Sequence, residues 1–238
     1  IVTGLVGSEM CIRDRHMKAM ILAAGYGKRL APITDTLPKP LIKVGNMSLI
    51  DRNINYLVKS GFHEIIINVS HHADQIINHV NKKFSELNIS FSIEDRPLGT
   101  GGGVYNALEK IGNNPFLLTN ADILHQIDLK KLPKEVEAAH LVGINNPDHN
   151  PRGDFNVKDN IVEVHEHKND QTWTGVSIIN PTIFKDNQFD EPVFNLWDSV
   201  LPNYIKEGVI TGEVTTDPWI DVGTHERLKL ANSVYNDD

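Results

Sequence analysis

The sequence predicts an α/β fold with a mixed, mostly parallel central sheet. Three features point there. In the first half, short β-branched runs alternate with segments of helical spacing. Glycines follow the first apolar run directly, as at a strand-to-helix turn. In the second half the pattern shifts to short strands joined by polar turns. Strands separated by helices need crossover connections, and crossovers make parallel neighbours.

The elements follow in order. Lys18 to Ala23 is a short apolar run ending in glycines, a buried strand and its loop. Leu49 to Ser60 spaces Ile50, Ile54, Leu57 and Val58 as a helix, with Gly61 as its stop. Glu64 to Ser70 is β-branched and reads as a strand; Ala73 to Phe84 returns to helical spacing through Ile76, Ile77, Val80 and Phe84. Ser90 to Glu94 alternates as a strand, Gly103 to Ile111 is a short helix, and Phe116 to Thr119 is a strand running into Asn120-Ala121-Asp122. Beyond His140, strands are expected at His140 to Ile144, Phe155 to Val157, Ile161 to His165 and Trp173 to Ile179, with a hairpin turn at Asp159-Asn160. A helix from Asn195 to Lys206, a strand near Val209 to Val214 and a helix from His225 to Tyr235 complete the pattern.

Residues 1–16 fit none of this. Their charges, Glu9, Arg13, Asp14 and Arg15, follow a short apolar start, the reverse of a secretory signal. They read as a non-native or disordered leader ahead of a single domain over 17–238. A genuine flexible extension is the competing reading.

Composition narrows the function classes. The chain has 238 residues, 40% hydrophobic and 23% charged, as expected of a globular protein with a real core. A net charge of −8 argues against a nucleic-acid-binding surface, which needs excess Lys and Arg, but leaves room for a small basic pocket. The only cysteine, Cys11, lies in the leader, so neither an internal disulfide nor a thiolate metal cluster is expected. A reducing cytoplasm is the natural compartment. No apolar run approaches the roughly 20 residues that span a bilayer, so no membrane association is expected. The eleven histidines include His71-His72 and His165-x-His167, but no third ligand stands at a telling spacing. Exposed polar histidines are expected.

Two segments carry chemistry. Leu22-Ala23-Ala24-Gly25-Tyr26-Gly27-Lys28-Arg29-Leu30 follows a strand with small residues, which let backbone N–H groups approach phosphates, and adds two cations. It is not a Walker loop, since no Lys-Ser/Thr pair follows. Nor is it a dinucleotide fingerprint, because Leu30 stands where the third glycine belongs. Alone, it serves equally as a tight turn. Leu37-Pro38-Lys39-Pro40-Leu41 clamps one lysine between prolines, which lowers the cost of presenting its ammonium. Alone, it is a surface loop.

Together the two segments resemble the signature of the sugar-1-phosphate nucleotidyltransferases. The resemblance continues in Gly99-Thr100-Gly101-Gly102-Gly103, in Asn120-Ala121-Asp122 and in Trp219-Ile220-Asp221-Val222-Gly223-Thr224. Within the family, Thr100 to Gly103, Arg152-Gly153-Asp154-Phe155 and the absence of a β-helix domain resemble the short bacterial N-acetylmuramate-1-phosphate uridylyltransferases. The resemblance implies a Rossmann-like three-layer αβα fold, with residues 17–139 as the nucleotide half and 140–238 as the sugar half. It implies a nucleoside triphosphate and a sugar-1-phosphate as partners, a monomer or small homo-oligomer, and a place in peptidoglycan recycling.

It also implies roles. Asp122 and Asp221 would hold Mg²⁺, and Asp122 would be catalytic together with Arg29 and Lys39 at the phosphates. Ala23, Ala24, Gly25 and Gly27 would approach the nucleotide through their backbone, with Gly101 and Gly102 meeting the base edge. Asn68 is a base or ribose contact, or else a structural strand-end amide. Arg152, Asp154, Glu166 and Gly175 are candidates for the sugar. The family's Glu-Lys-Pro motif reads Glu166-His167-Lys168-Asn169 here, a departure at the Glu166 position. Guanylyl transfer to mannose-1-phosphate, thymidylyl or uridylyl transfer to glucose-1-phosphate, and a non-catalytic sugar-nucleotide-binding regulator are the alternatives. An NAD-dependent oxidoreductase is disfavoured by the missing glycine.

Overall fold

A computed structural model describes residues 17–185 and 189–235; the leader and Cys11 lie outside the described residues. The apolar runs of the first half become four adjacent parallel strands. These are β1 (Ala19–Leu22), β4 (Glu64–Val69), β5 (Asn88–Ile93) and β6 (Phe116–Asn120), in the order β5-β4-β1-β6. The same sheet continues through β11 (Gln171–Ile179), β8 (Ala139–Asn145), β12 (Ile210–Val214), β10 (Ile161–Glu163) and β9 (Asn156–Lys158), making nine strands. β11 runs antiparallel to both β6 and β8, while β12 is parallel to β8. The sheet is thus mixed, with its parallel block built from the first half.

Alternation within the strands sorts the core into two layers. Ile21, Ile65, Ile67 and Leu117 pack with Ile50, Ile54 and Leu57 of α1 (Leu49–Lys59) and Ile76 and Val80 of α2 (Ala73–Lys83). Met20, Ile66, Phe116 and Leu118 pack with Val104 of α3 (Gly99–Asn106) and Ile111 of α4 (Leu108–Ile111). The same layer includes Phe184 of α5 (Thr182–Lys185), Leu196 of α6 (Leu196–Ser199) and Leu201 of α7 (Leu201–Lys206). Successive strand residues face opposite sides, so a parallel sheet between two helical layers needs such continuous apolar runs. The result is the three-layer αβα arrangement.

Two small ribbons flank the main sheet. β2 (Lys43–Val44) pairs with β3 (Met47–Ser48), leading into α1. The start of α1 is fixed by a capping box between Ser48 and Asp51, whose carboxylate also accepts from His79 and Lys83 of α2 at 2.8 Å each. β7 (Ile123–His125) pairs antiparallel with β13 (Trp219–Asp221), just before α8 (His225–Val234). Residues 219–221 carried no strand expectation.

Other differences from expectation have local causes. The helix expected at Gly103 begins at Gly99, where residues 192–196 pack close against Gly99, Gly101 and Gly102 and Leu196 N–H donates to Thr100 Oγ1 at 2.9 Å. The helix expected over 195–206 breaks at Val200 into α6 and α7. The Asp159-Asn160 turn forms as expected, with φ of 51° and 64° joining β9 to β10. His165 and His167 lie beyond the end of β10 and do not share a strand face; His71 and His72 are half-buried rather than exposed.

Candidate active site

In the strand order β5-β4-β1-β6 the chain leaves β1 toward β4 and later crosses from β5 to β6 on the other side of β1, so β1 and β6 border a topological switch point. Open α/β sheets bind ligands at the carboxyl ends of such strands. A cleft of about 390 Å³ opens there. Its walls include Ala23, Ala24, Gly25, Gly27, Lys28 and Arg29 after β1, Lys39, Asn68 at the end of β4, Gly99 and Thr100, Asn120 to Asp122, Asn195 and Gly223. Segments far apart in the chain thus converge on one cavity.

The loop after β1 has no ladder of its own. It is held by a buried relay. Ala23 N–H donates to Asn68 Oδ1 at 2.7 Å, Asn68 Nδ2 donates to Glu94 Oε1 at 2.7 Å, and Leu98 N–H donates to Glu94 Oε2 at 2.9 Å. Burial pushes the Glu94 carboxyl above its usual range, against the lowering effect of those hydrogen bonds. Both polar ends of the Asn68 amide are therefore engaged in shaping the cleft. Glu94 had no mark in the sequence, since nothing there shows a strand-end carboxylate turned inward.

The charged groups gather at the opposite wall. Lys39, presented by a single helical turn over Lys39–Leu41, makes a close ion pair with Asp122. Val222 N–H donates to the Asp122 carbonyl at 2.8 Å, so pairing of the two ribbon strands sets Asp122 and Asp221 side by side. Burial and the neighbouring Asp122 carboxylate push Asp221 above the usual carboxylate range, while Arg227, Lys39 and Arg29 pull the other way. Arg227 Nη2 stands 3.1 Å from Asp221 Oδ2. Asp221 Oδ1, Arg227 Nε and Arg227 Nη2 are buried without a hydrogen-bond partner among the described residues. Gly223 is the point on which Arg29, Arg227 and Asp221 close, with Arg29 Nη2 and Asp221 Oδ1 each 2.9 Å from where a Cβ would stand.

Two adjacent carboxylates with an unsatisfied oxygen fit a hard divalent cation that takes its other ligands from water and phosphate oxygens. Among the described residues, no group of three or more His, Cys, Asp or Glu could form an all-protein cage.

Other expected site residues lie elsewhere. Gly101 and Gly102 do not line the cleft. Their N–H groups donate to the Phe194 carbonyl at 3.0 and 3.1 Å, and a Cβ would strike the Phe194 ring or the Pro192 carbonyl. They pack the helix against 192–196, which leaves Gly99 and Thr100 facing the cavity. Asp154 accepts from Trp173 N–H at 2.8 Å and Asn150 Nδ2 at 3.0 Å, so its carboxylate fastens its own loop. Gly175 sits at an irregularity in β11 with φ of 79°, where a side chain would meet Asn120 and Ile123. Arg152 and Glu166 are exposed and do not line the cleft. His149, on the same loop as Arg152, stacks on Trp219 with ring centres 6.3 Å apart. Burial lowers its pKa, with Arg227 and Arg29 adding to the effect, so the loop borders the charged wall. Arg227 and His149 escaped sequence reasoning; only the position of Arg227 six residues after Asp221, in the first turn of a helix, could have marked it.

A family model for nucleotidyl transferases matches residues 18–153, more than half of the chain. The chain belongs to the nucleotidyl transferase family. Among curated relatives of this nucleotidyltransferase is the N-acetylmuramate alpha-1-phosphate uridylyltransferase of Neisseria meningitidis serogroup B. It is 38% identical over 229 residues, covering 92% of this chain and 98% of the relative. The D-glycero-alpha-D-manno-heptose 1-phosphate guanylyltransferase of Campylobacter jejuni is 30% identical, covering 88% of this chain and 96% of its own. The solved structure of HddC from Yersinia pseudotuberculosis complexed with GMP-PN matches with a TM-score of 0.77 at 28% identity, over 92% of this chain and 99% of that one. No helix among the described residues is long and apolar enough to cross a membrane.

Proposed function

We propose that this nucleotidyltransferase moves a uridylyl group from UTP to N-acetylmuramic acid α-1-phosphate, with Mg²⁺, in the cytoplasm. The observation that carries the transfer reading is the paired Asp122 and Asp221 beside Lys39 and Arg29, at the switch point of the sheet. The substrate assignment draws on the 38% identity to the Neisseria enzyme over nearly its whole length. The Campylobacter relative keeps guanylyl transfer to another sugar phosphate as the second reading. Muramate use would place the protein in peptidoglycan recycling.

The chemistry needs no activated Ser or Cys. A phosphate oxygen of the sugar-1-phosphate attacks the α-phosphorus in line; the new O–P bond forms as the bond to the β-phosphate oxygen breaks and pyrophosphate departs. Catalysis then rests on positioning and charge neutralisation. Asp122 and Asp221 would hold the metal, which supplies neutralisation of phosphate charge. Arg29 faces the departing pyrophosphate and Lys39 supports the phosphates. The loop over 23–27, braced through Asn68, gives the nucleotide a fixed backbone edge. Muramate adds a lactyl carboxylate, which a chain of net charge −8 must meet with a local cation or backbone donors. Arg152, exposed outside the cleft on the loop that brings His149 to Trp219, is the candidate for that cation. The test is a matrix of nucleoside triphosphates against sugar-1-phosphates, scored by pyrophosphate release with Mg²⁺. UTP with the muramate phosphate should lead; a strong preference for GTP with a manno-configured sugar phosphate would overturn the substrate assignment.

A further inference from the structure

Each of the two site carboxylates already has a cation of the chain against it: Lys39 on Asp122, Arg227 on Asp221. Arg29 closes on the same point from the other side. Three cations therefore face two carboxylates. The two counterions are built differently. Arg227 rises from the first turn of α8 and does not line the cleft, and among the described residues its Nε and Nη2 have no hydrogen-bond partner to exchange for Asp221. Lys39, whose side chain is as little exposed as that of Arg227, lines the cleft and carries its ammonium on a four-carbon stem. A compact charge on a flexible stem at the cleft can follow a new anion; a planar guanidinium held by a helix outside the cleft cannot.

We propose that Lys39 is a displaceable counterion and Arg227 a fixed one, and that together they keep a bare divalent cation out of the Asp122–Asp221 pair. This rests on the nucleotidyl-transfer reading and deepens it. In the nucleotide-free site a dication meets an excess of positive charge and must compete with Lys39 for Asp122. A triphosphate reverses both conditions. Its oxygens offer Lys39 and Arg29 another partner, which frees Asp122, and they bring ligands for the metal that the two carboxylates do not supply. Metal and triphosphate therefore enter together, and the carboxylates are never left bare. The buried, unpartnered Asp221 Oδ1 is the oxygen this arrangement holds ready. Arg227 acts through Asp221, so it is a positioning residue.

The test uses Mn²⁺ as a paramagnetic stand-in, titrated into nucleotide-free protein and read as loss of the free-ion resonance. Wild type should bind Mn²⁺ weakly. Lys39→Met and Lys39→Gln should each bind it at least tenfold more tightly, and Arg227→Met should shift the same way. The gain should vanish in Lys39→Met/Asp122→Asn, because the ion sits on Asp122. If neither lysine variant binds more tightly than wild type, or if the gain survives loss of Asp122, the proposal fails. Two substitutions at Lys39 guard against one that misfolds, with thermal unfolding as the control. The outcome is separable from the activity reading: a wild type that turns over yet binds bare Mn²⁺ as tightly as the Lys39 variants sinks only this inference, while one that releases no pyrophosphate sinks only the other.

Discussion

His125 makes the sharpest stability prediction, because it sits in the ribbon strand that follows Asp122 and pairs with the strand of Asp221. It pairs with Trp219 across the ribbon, two residues from Asp221 on one side and three from Asp122 on the other. Its ring lies 5.0 Å from Tyr56, edge to face, and its Nδ1 accepts from Ile127 N–H at 3.3 Å. An accepting Nδ1 requires the neutral ring. Burial holds its pKa down to about 4, with Asp217 opposing. The unfolded chain takes up that proton near 6.5, so between pH 6.5 and 4 the unfolded state binds more protons than the folded one. Stability from this residue is complete above pH 6.5, falls as pH drops, and is fully lost once pH passes below 4. At roughly 1.4 kcal/mol per pH unit, the loss between pH 7 and 4.5 is about 2 kcal/mol. His125→Asn keeps an acceptor near Nδ1 but cannot titrate. Urea unfolding at both pH values should show wild type losing about 2 kcal/mol more than the variant. The variant's lost ring packing offsets its stability equally at every pH and drops out of the difference. Parallel pH dependences for the two proteins would refute a neutral, buried His125.

The site makes further predictions. Asp122→Asn and Asp221→Asn should each nearly abolish pyrophosphate release in Mg²⁺ with circular dichroism unchanged; a variant that keeps most activity does not lose a metal ligand. Arg29→Ala should lower kcat by roughly 10²–10³ with little change in nucleotide affinity, as for other removed transition-state donors; a change in KM alone would make it a ground-state contact. Gly101→Ala places a methyl on the Phe194 ring and should cost about 1–3 kcal/mol by overpacking, seen as a lower Tm. Arg152→Ala should weaken use of muramate phosphate while sparing glucosamine-type substrates, and equal losses on both would remove Arg152 from recognition.

Much of this was legible in the sequence, for identifiable reasons. Period and composition located β1, β4, α1 and α2, because a sheet covered on both faces leaves continuous apolar strands and amphipathic helices. The backbone loop, Arg29, Lys39 and Asp122, which line one cleft, were legible only through the combined resemblance of their segments, since each segment alone reads as a turn or a surface loop. What escaped depends on non-local packing. Gly101 and Gly102 read as meeting a base edge, yet their lack of side chains answers to Pro192 and Phe194, some 90 positions later. Asp154 looked free to bind a sugar, and only the fold reveals Trp173 N–H against it. Arg227 and Glu94 act through partners that the sequence does not place nearby.

The placement of Asp122 shows how the second half of the chain reaches the chemistry of the first. Asp122 lies just past the end of β6, where the parallel ladder gives out. Its backbone is then held by the ribbon of β7 and β13, not by the main sheet. That ribbon is fastened to β11: Trp219 Nε1 donates to the Thr174 carbonyl at 2.9 Å. Beside Thr174, the left-handed backbone of Gly175 leaves space for Asn120 and Ile123, which flank Asp122 in sequence. A side chain at Gly175 would be strained in conformation and would push on both neighbours. Gly175 therefore bears on the placement of Asp122: the irregularity it permits lets an antiparallel strand of the second half support the carboxylate presented by a parallel strand of the first.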